Sequence, residues 1–256
     1  MNQSADLTVE SDGHVAVVTL KRPPHNHVDA DLMRRLADVL AELDGDDACR
    51  AIVLRSGVRA FCAGADFSGV REQGAPMDPS PFYAQAMRLF GTRKPIVAAV
   101  RGAAVGAGLG LALVADFRVT CREARFSANF TRLGFHPGFG LSLTLPRLIG
   151  EQKAALLCFT GRRIDGAEAV AMGLADELAP AEEVDARALA LAREIAGSAP
   201  RAVESIRATL RRDLHQRIVA ANRHELALQL DQFRSADFRE GVAAMAERRA
   251  PVFERR

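Results

Sequence analysis

Two glycine-rich segments constrain the fold of this chain more than any other feature of its sequence. Residues 61–66 (FCAGAD) follow the apolar run 51–54, and residues 101–110 (RGAAVGAGLG) follow the apolar run 96–100. Each segment therefore begins where a β-type run delivers the backbone into a turn. Because glycine and alanine leave the main chain uncovered, a ligand can contact the backbone N–H groups of both turns directly.

The second segment continues into a helical pattern. After Gly106, residues 107–115 are small and apolar and are expected to form a helix. The first turn of a helix has N–H groups without an intrahelical partner, and its dipole favours negative charge. Two amides, one from each turn, can thus surround one carbonyl oxygen. Such a pair suits an activated carbonyl that becomes an enolate or a tetrahedral adduct.

These segments resemble the crotonase superfamily, also called the enoyl-CoA hydratase/isomerase superfamily, and the resemblance continues through residues 133–140, 148–161 and 239–253. It implies an α/β fold with a crotonase-like ββα spiral core and a C-terminal helical region used in trimerisation. The implied division is a core with the acyl-CoA site (residues 1–195) and a helical oligomerisation region (residues 196–256). The expected partner is an acyl-CoA thioester, bound by a homotrimer or a dimer of trimers. Coenzyme A is part of the substrate, so no separate cofactor is expected.

The same resemblance assigns the site residues. The oxyanion N–H donors of the family correspond to the backbone amides of Ala65 and Ala107. The positions expected to bind substrate are His25, His27, Ala63, Phe67, Gly106, Gly110, Phe130, Leu133 and Arg248. For His25 and His27, contact with coenzyme A competes with an ordinary surface turn. Arg248 corresponds to a basic residue near the 3′-phosphate, or is a helix C-terminal charge that complements the dipole.

The chain departs from the family at the acidic positions. A family hydratase uses two glutamates, and the corresponding positions hold Gly110 and Phe130; some relatives use an aspartate where this chain has Gly138. None of these residues can move a proton. Because acid or base assistance contributes about 10²- to 10⁴-fold per group, losing both glutamates should remove roughly 5 kcal/mol or more of transition-state stabilisation. We expect poor hydration, and a gain of orders of magnitude after Gly110→Glu with Phe130→Glu.

Proton transfer therefore needs another group. His136 lies in the loop that borders the family's acyl pocket, and histidine titrates near neutrality; a loop histidine bonded to a carbonyl is the alternative. Asp66 follows the first oxyanion donor and either faces the substrate or caps the loop. Glu72 and Tyr83 are expected to be solvated loop residues. Clustered phenylalanines, Phe130 among them, would line a dry pocket that strengthens the oxyanion hydrogen bonds and excludes water.

Three functions stay open. The first is an acyl-CoA enzyme that stabilises a thioester enolate or oxyanion, with isomerisation, decarboxylation, racemisation or thioester cleavage as the reaction. The second is an atypical enoyl-CoA hydratase of fatty-acid or related acyl-CoA metabolism. The third is a non-catalytic acyl-CoA-binding subunit. In both catalytic cases the chain is an enoyl-CoA hydratase/isomerase-like enzyme of the lyase or isomerase class.

Other familiar sites do not fit the sequence. After Gly106 and Gly108 a dinucleotide fingerprint needs a small residue at position 111, which is Leu111, and no Walker or Gly-x-Ser-x-Gly motif occurs. The four cysteines show no paired metal or redox spacing. His25 and His27 have no third ligand beside them, so no metal is expected.

Composition favours a cytoplasmic enzyme with one core. The chain's 256 residues, 48% of them hydrophobic, are enough to bury a core of useful size. No segment has the pattern of a signal peptide or the length of a membrane span. The formal charge is +2 with acids and bases mixed along the chain, so neither nucleic acid nor a membrane is an expected partner.

Periodicity predicts alternating strands and helices in the first two-thirds of the chain. Strands are expected at residues 15–20, 51–55, 96–100 and 117–120, and a helix at residues 29–43. Residues 67–89, which contain several prolines, are expected to be loop-like. After residue 150 the strand signal fades, and helices are expected at residues 151–160, 165–172 and 182–195 and from Pro200 onward.

Overall fold

The computed structural model describes residues 5–66 and 77–256, so Phe67 and Glu72 lie outside the described residues. The strands are β1 (Leu7–Asp12), β2 (Val15–Leu20), β3 (Ala51–Ser56), β4 (Ile96–Val100), β5 (Ala103–Val105), β6 (Phe117–Thr120), β7 (Arg125–Ser127), β8 (Arg163–Asp165) and β9 (Glu177–Leu178). The helices are α1 (Ala30–Gly45), α2 (Ser80–Leu89), α3 (Ala107–Ala112), α4 (Leu141–Ile149), α5 (Glu151–Thr160), α6 (Gly166–Met172), α7 (Val184–Ala196), α8 (Pro200–Leu210), α9 (Leu214–Gln232) and α10 (Ala236–Glu247). A 3₁₀ helix spans Asn129–Leu133.

A six-stranded sheet forms the main layer, with the strand order β1-β2-β3-β4-β6-β9. β1 and β2 are antiparallel, and the other neighbours are parallel. β2 and β4 are buried along their whole length, as expected of strands covered on both faces. Helix α7 packs against β2, β3, β4 and β6. The expected α/β fold and its four predicted strands are confirmed.

A smaller sheet with the order β5-β7-β8 holds the two glycine-rich segments together. Cys62 forms an isolated parallel bridge with Ala104 of β5. The backbone N–H of Cys62 donates to the Ala103 carbonyl at 2.9 Å, and the N–H of Val105 donates to the Cys62 carbonyl at 3.1 Å. The turn after β3 and the turn before α3 are therefore joined by main-chain hydrogen bonds.

The start of α3 lies against the first glycine-rich segment with no room for a side chain. A Cβ atom added to Gly108 would lie 1.9 Å from the carbonyl oxygen of Cys62 and 2.9 Å from its Cβ. Glycine is required here because the helix backbone contacts a carbonyl group directly. This contact sets the spacing between Ala107, the first residue of α3, and residues 61–66.

Helix α1 confirms the helix predicted from leucine spacing. Asp29 caps it, because its Oδ1 accepts a hydrogen bond from the N–H of Leu32 at 2.8 Å. The other carboxylate oxygen of Asp29 pairs with Nη1 of Arg22 at 2.6 Å. The predicted leucines are all buried, and they are Leu32, Leu36, Leu40 and Leu43. The cap and the ion pair tie the residues 22–29 turn to the helix.

Three local expectations were wrong. β8 and β9 occur after residue 150, where helices alone were expected; strands of two or three residues are too short to give a periodic pattern. Helix α2 begins at Ser80, inside the segment expected to be loop-like. Pro81 is tolerated because the backbone N–H groups in the first turn of a helix have no intrahelical acceptor, so the N–H that proline lacks is not needed there. Helix α3 ends at Ala112, three residues before the predicted end.

The last three helices follow the expected C-terminal region. α9 contacts α2 and α4, and α10 contacts the 3₁₀ helix. A Cβ at Gly241 of α10 would lie 2.6 Å from the carbonyl carbon of Leu133, which shows how closely α10 packs there. The division of the chain near residue 196 and trimerisation stay predictions.

Within the described ranges, no helix is both long enough and apolar enough to cross a bilayer.

The contact between α3 and the first glycine-rich segment gives a stability prediction. Gly108→Ala should lower the free energy of unfolding by about 2–3 kcal/mol or more, because the new Cβ would overlap a backbone carbonyl. Gly45→Ala is the matched control, since no atom lies within 4 Å of the added Cβ at that exposed helix end. The control should be neutral or up to about 1 kcal/mol more stable. Urea unfolding of both variants measures the difference, and equal midpoints would contradict the packing described.

Candidate active site

A cavity of about 560 Å³ opens where the two glycine-rich segments meet. Its walls come from the turn before α1, from residues 63–66, from the start of α3, from α2 and from the 3₁₀ helix. The C-terminal helices close it on another side. The apolar lining residues include Val28, Met77, Pro79, Pro81, Phe82, Val105, Phe130, Leu133, Phe135, Phe233 and Met245. A largely apolar cavity is thus present in a single chain, where the two glycine-rich segments meet.

The backbone amides of Ala65 and Ala107 both border this cavity. Within residues 5–66 and 77–256, neither N–H group donates a hydrogen bond to the protein. Ala107 is the first residue of α3, where helix geometry leaves the N–H without an intrahelical acceptor. Two residues whose N–H groups have no described acceptor therefore line the same cavity.

Hydrogen bonds on either side hold these two residues in place. The N–H groups of Ala63 and Asp66 donate to the carbonyls of His25 and Val28 at 3.1 and 3.0 Å. The N–H of Gly106 donates to the carbonyl of Ser127 at 2.9 Å. Gly106 has φ 56° and ψ −117°, a conformation that side chains disfavour. The N–H groups of Ala63, Asp66 and Gly106 are thus used by the fold, whereas those of Ala65 and Ala107 are not among the described donors.

An aromatic ring fills the space that a side chain at position 110 would occupy. A Cβ at Gly110 would lie 2.5 Å from Cγ of Phe139 and 2.7 Å from its Cβ. Phe139 is buried with φ 65° and packs edge-on against Phe82 and Phe90, at ring-centroid distances of 5.9 and 6.0 Å. In the described part of the chain, Gly110 does not line the cavity. A glutamate at position 110 would therefore overlap Phe139, and the expected gain in hydration after Gly110→Glu with Phe130→Glu stays a prediction.

Position 138 is closed as well. A Cβ at Gly138 would lie 1.9 Å from the hydroxyl oxygen of Tyr83 and 2.6 Å from Nε2 of Gln229. Tyr83 is buried in α2 and lines the cavity, so its description as a solvated loop residue was wrong. Burial raises the pKa of the Tyr83 hydroxyl above its usual range, so it is neutral at pH 7. An acidic side chain has room at neither of these two positions.

His136 lies at a different cavity from the two amides. Its side chain borders a space formed by the 3₁₀ helix, α4 and α5. Nδ1 of His136 is 2.7 Å from the carbonyl oxygen of Pro137, and its backbone N–H donates to Gln232 at 2.6 Å. The structure therefore does not bring His136 to Ala65 and Ala107, because the loop turns its ring toward the other side of the 3₁₀ helix. The assignment of His136 to the acyl pocket is corrected.

Asp66 does border the cavity and is exposed at its mouth. Two further aspartates line the same cavity. Asp29 is paired with Arg22, and Asp78 accepts hydrogen bonds from the backbone and hydroxyl of Ser80. Asp66 follows Ala65 and lines the same cavity as Ala107, and its acid/base role stays a prediction.

The two histidines of the turn before α1 occupy different positions relative to the cavity. His27 lines the cavity, whereas His25 is exposed and, in the described residues, does not line it. Their rings meet edge to face with centroids 6.0 Å apart. Nδ1 of His27 is enclosed and has no hydrogen-bond partner within residues 5–66 and 77–256. His27 can contribute to binding a ligand, and contact by His25 stays a prediction.

Of the remaining positions that were predicted to bind substrate, some line the cavity and others do not. Ala63, Gly106, Phe130 and Leu133 line the cavity. Arg248 is the left-handed C-cap of α10, is exposed, and is absent from the described lining of this cavity, although Met245 from the same helix is part of it. Phe67 lies outside the described residues. Among those residues, no group of three or more potential metal ligands comes together.

Comparison with known proteins identifies the family. The family model for enoyl-CoA hydratase/isomerase matches residues 10–256, nearly the whole chain. The protein belongs to the enoyl-CoA hydratase/isomerase family. The resemblance stated from the sequence is thereby confirmed.

Relatives cover the chain almost end to end. A Mycobacterium bovis protein named probable enoyl-CoA hydratase echA8 is 33% identical over 252 residues, covering 98% of each chain. A short-chain-enoyl-CoA hydratase from Clostridium acetobutylicum is 31% identical over 250 residues, covering 95% of each. The crystal structure of an enoyl-CoA hydratase/isomerase from Pseudoalteromonas atlantica T6c has a TM-score of 0.88 and 32% identity, and the match covers 97% of this chain and 100% of that one.

Three residues of this enoyl-CoA hydratase/isomerase family member were missed or misjudged from the sequence. Tyr83 and Phe139 fill positions where some relatives place acids, and Asn129 adds a polar side chain to the cavity wall. A bulky residue inside the Pro-Gly-Phe-Gly segment (137–140) was a possible signal for Phe139. No local pattern marks Asn129, because its relation to Gly106 depends on tertiary contact.

The contact between Gly110 and Phe139 predicts that substitutions at these two positions have non-additive effects on the free energy of unfolding. Gly110→Glu should lower the free energy of unfolding by about 3 kcal/mol or more, through overlap and a buried charge. Phe139→Ala alone should cost about 3–5 kcal/mol as a cavity. The double variant should be more stable than the sum of the two effects predicts, by at least about 1 kcal/mol, because the alanine makes room. Urea unfolding of all four proteins measures this coupling, and simple additivity would mean that the ring does not occupy the space.

Proposed function

We propose that this enzyme binds an acyl-CoA thioester and stabilises its enolate or oxyanion with the backbone amides of Ala65 and Ala107. The observation that carries the proposal is that Ala65 and Ala107, whose N–H groups have no acceptor in the described part of the chain, line one cavity. Donors aimed at a developing negative charge contribute about 3–4 kcal/mol each in related sites. Coenzyme A is part of the substrate, and the proposal needs neither a separate cofactor nor a metal.

Efficient hydration is not part of the proposal. A hydratase of the family type needs carboxylates to activate water and to protonate carbon, and here Phe139 and Tyr83 fill the space beside Gly110 and Gly138. Phe130 lines the cavity where the second glutamate would be. The apolar wall lowers the local dielectric, which strengthens amide hydrogen bonds to an anionic oxygen and disfavours an attacking water. Chemistry at the α-carbon is favoured over addition of water.

The charge of the lining favours a neutral acyl group. Asp29, Asp66 and Asp78 border the cavity, and none of its described lining residues is lysine or arginine. A carboxylate on the acyl group would find no lysine or arginine in the described lining, since Arg22 is already paired with Asp29, and this is unfavourable in a partly apolar space. Isomerisation or racemisation of a neutral acyl-CoA is thus favoured over decarboxylation.

Asp66 is the proposed proton carrier. It follows Ala65 directly, lines the cavity and keeps access to solvent, so it can exchange a proton with water between turnovers. Its backbone N–H donates to Val28 and anchors the residue. A positioned carboxylate contributes about 10²- to 10⁴-fold to proton transfer.

An atypical enoyl-CoA hydratase is the second candidate. It is favoured by the names of relatives such as the Clostridium acetobutylicum short-chain-enoyl-CoA hydratase. Such an enzyme would have to hold its water with Asp66 or His27, both of which line the cavity. A non-catalytic acyl-CoA-binding subunit remains the third candidate from the sequence.

Removing one amide tests the oxyanion proposal. Ala107→Pro deletes the N–H at the first position of α3, where proline is tolerated in a helix, and Ala107→Gly keeps the N–H as the control. Exchange of the α-protons of butanoyl-CoA in heavy water, followed by mass spectrometry, should fall about 10²- to 10³-fold in the proline variant. In the glycine variant it should stay within about threefold of the wild-type rate. Circular dichroism checks that both variants fold, and equal loss in both would contradict the proposal.

Removing the Asp66 carboxylate tests the proton carrier. Asp66→Asn should slow α-proton exchange by about 10²-fold or more, because the amide cannot accept the proton. Asp78→Asn is the matched control, as this aspartate lines the same cavity but bonds Ser80 at the start of α2. Undiminished exchange in Asp66→Asn would exclude this role. Wild-type hydration of 2-butenoyl-CoA at a rate typical of enzymes, with no α-proton exchange of butanoyl-CoA, would favour the second candidate.

A further inference from the structure

Asn129 presents a side-chain amide next to the proposed oxyanion site. It is the first residue of the 3₁₀ helix, is half-buried, and lines the cavity together with Ala107. Its Oδ1 lies 3.2 Å from the position that a Cβ on Gly106 would occupy, and Gly106 immediately precedes Ala107. The Asn129 amide is therefore close to whatever the N–H of Ala107 holds.

This amide has unused hydrogen-bonding capacity. In the described ranges 5–66 and 77–256, the Asn129 side chain makes no hydrogen bond to the protein, although an amide offers two donors and one acceptor oxygen. Its neighbours in the wall, Phe130 and Leu133, are apolar. A polar group left without a partner in such a wall costs free energy when an apolar ligand displaces its water. A ligand that bonds the amide avoids this cost.

Among the other polar residues of the cavity, His27 belongs to the turn before α1 and Asp66 to the first glycine-rich segment, and the remaining three contact the protein. Asp29 is paired with Arg22, Asp78 bonds Ser80, and the Tyr83 hydroxyl faces Gly138. Asn129 thus differs from them in combining a place beside Gly106 with a free amide. Its side chain is suited to forming a hydrogen bond with the part of the acyl group nearest the thioester.

We propose that Asn129 selects acyl-CoA thioesters that carry a neutral oxygen at C3 of the acyl group, an inference that rests on the proposed function. If Ala107 holds the thioester oxygen, the amide beside Gly106 is the side-chain amide of the described lining that would meet the adjoining part of the acyl group. An amide both donates and accepts, so a 3-oxo and a 3-hydroxy group share the required chemistry. A carboxylate would find no lysine or arginine among the described lining residues. Asn129 acts in binding, and no covalent step is assigned to it.

Calorimetric binding to a matched set of thioesters tests the inference. The ligands are butanoyl-CoA, both enantiomers of 3-hydroxybutanoyl-CoA, and 3-oxobutanoyl-CoA. Wild-type protein should bind at least one oxygenated thioester about five- to tenfold more tightly than butanoyl-CoA, as expected of one net hydrogen bond. Asn129→Leu, which keeps the approximate volume, should lose this preference and bind butanoyl-CoA within about twofold of wild type or more tightly.

A second variant separates the two oxygen chemistries and keeps the test valid if leucine disturbs the 3₁₀ helix. Asn129→Asp keeps the shape but only accepts hydrogen bonds when ionised. It should lose a preference for the 3-oxo thioester and keep a preference for a 3-hydroxy one. A preference that survives in Asn129→Leu, or a wild-type protein that does not discriminate, would overturn the role of Asn129. Absence of binding to all the thioesters would instead refute the proposed function itself.

Discussion

The main-chain pairing between the two glycine-rich segments is the interaction on which the site depends. The hydrogen bonds from Cys62 to Ala103 and from Val105 to Cys62 join the turns after β3 and β4. The contact of Gly108 with the Cys62 carbonyl then fixes the start of α3 against the first turn. Because these contacts involve backbone atoms, they position two amides without using any reactive side chain. Small residues are required there for packing, and their chemical role follows from the same requirement.

Around this backbone frame the chain replaces polar groups with aromatic ones. Phe139 fills the space at Gly110, and Tyr83 fills the space at Gly138. Phe82 and Phe90 pack against Phe139 and hold it in place. Aromatic side chains therefore close the space beside both glycines. Under the proposed function, the remaining capacity is stabilisation of an anionic oxygen by backbone amides, with Asp66 and Asn129 among the polar residues that line the cavity.

Local patterns were enough to predict the strands of the main sheet, helix α1 and the two glycine-rich turns. Those features are encoded by spacing along the chain, such as the leucines of α1. The aromatic filling could not be predicted, because Gly110 and Phe139 are 29 positions apart and meet only through the tertiary fold. The orientation of His136 was missed for the same reason: sequence places it in the correct loop, but contacts with Pro137 and Gln232 decide which side it faces. Residues next to a recognised motif were placed well, and residues that reach the cavity from distant elements were not.

The central claim is that the amides of Ala65 and Ala107 together hold the oxygen of one thioester. Infrared difference spectra of a bound acyl-CoA labelled with ¹³C at the thioester carbonyl test this claim most directly. Two hydrogen bonds to the oxygen weaken the carbonyl bond, so the stretching band of the bound ligand should move to lower frequency than in water. The shift should shrink in Ala107→Pro and persist in Ala107→Gly. A bound thioester whose band lies at or above its frequency in water would contradict the account.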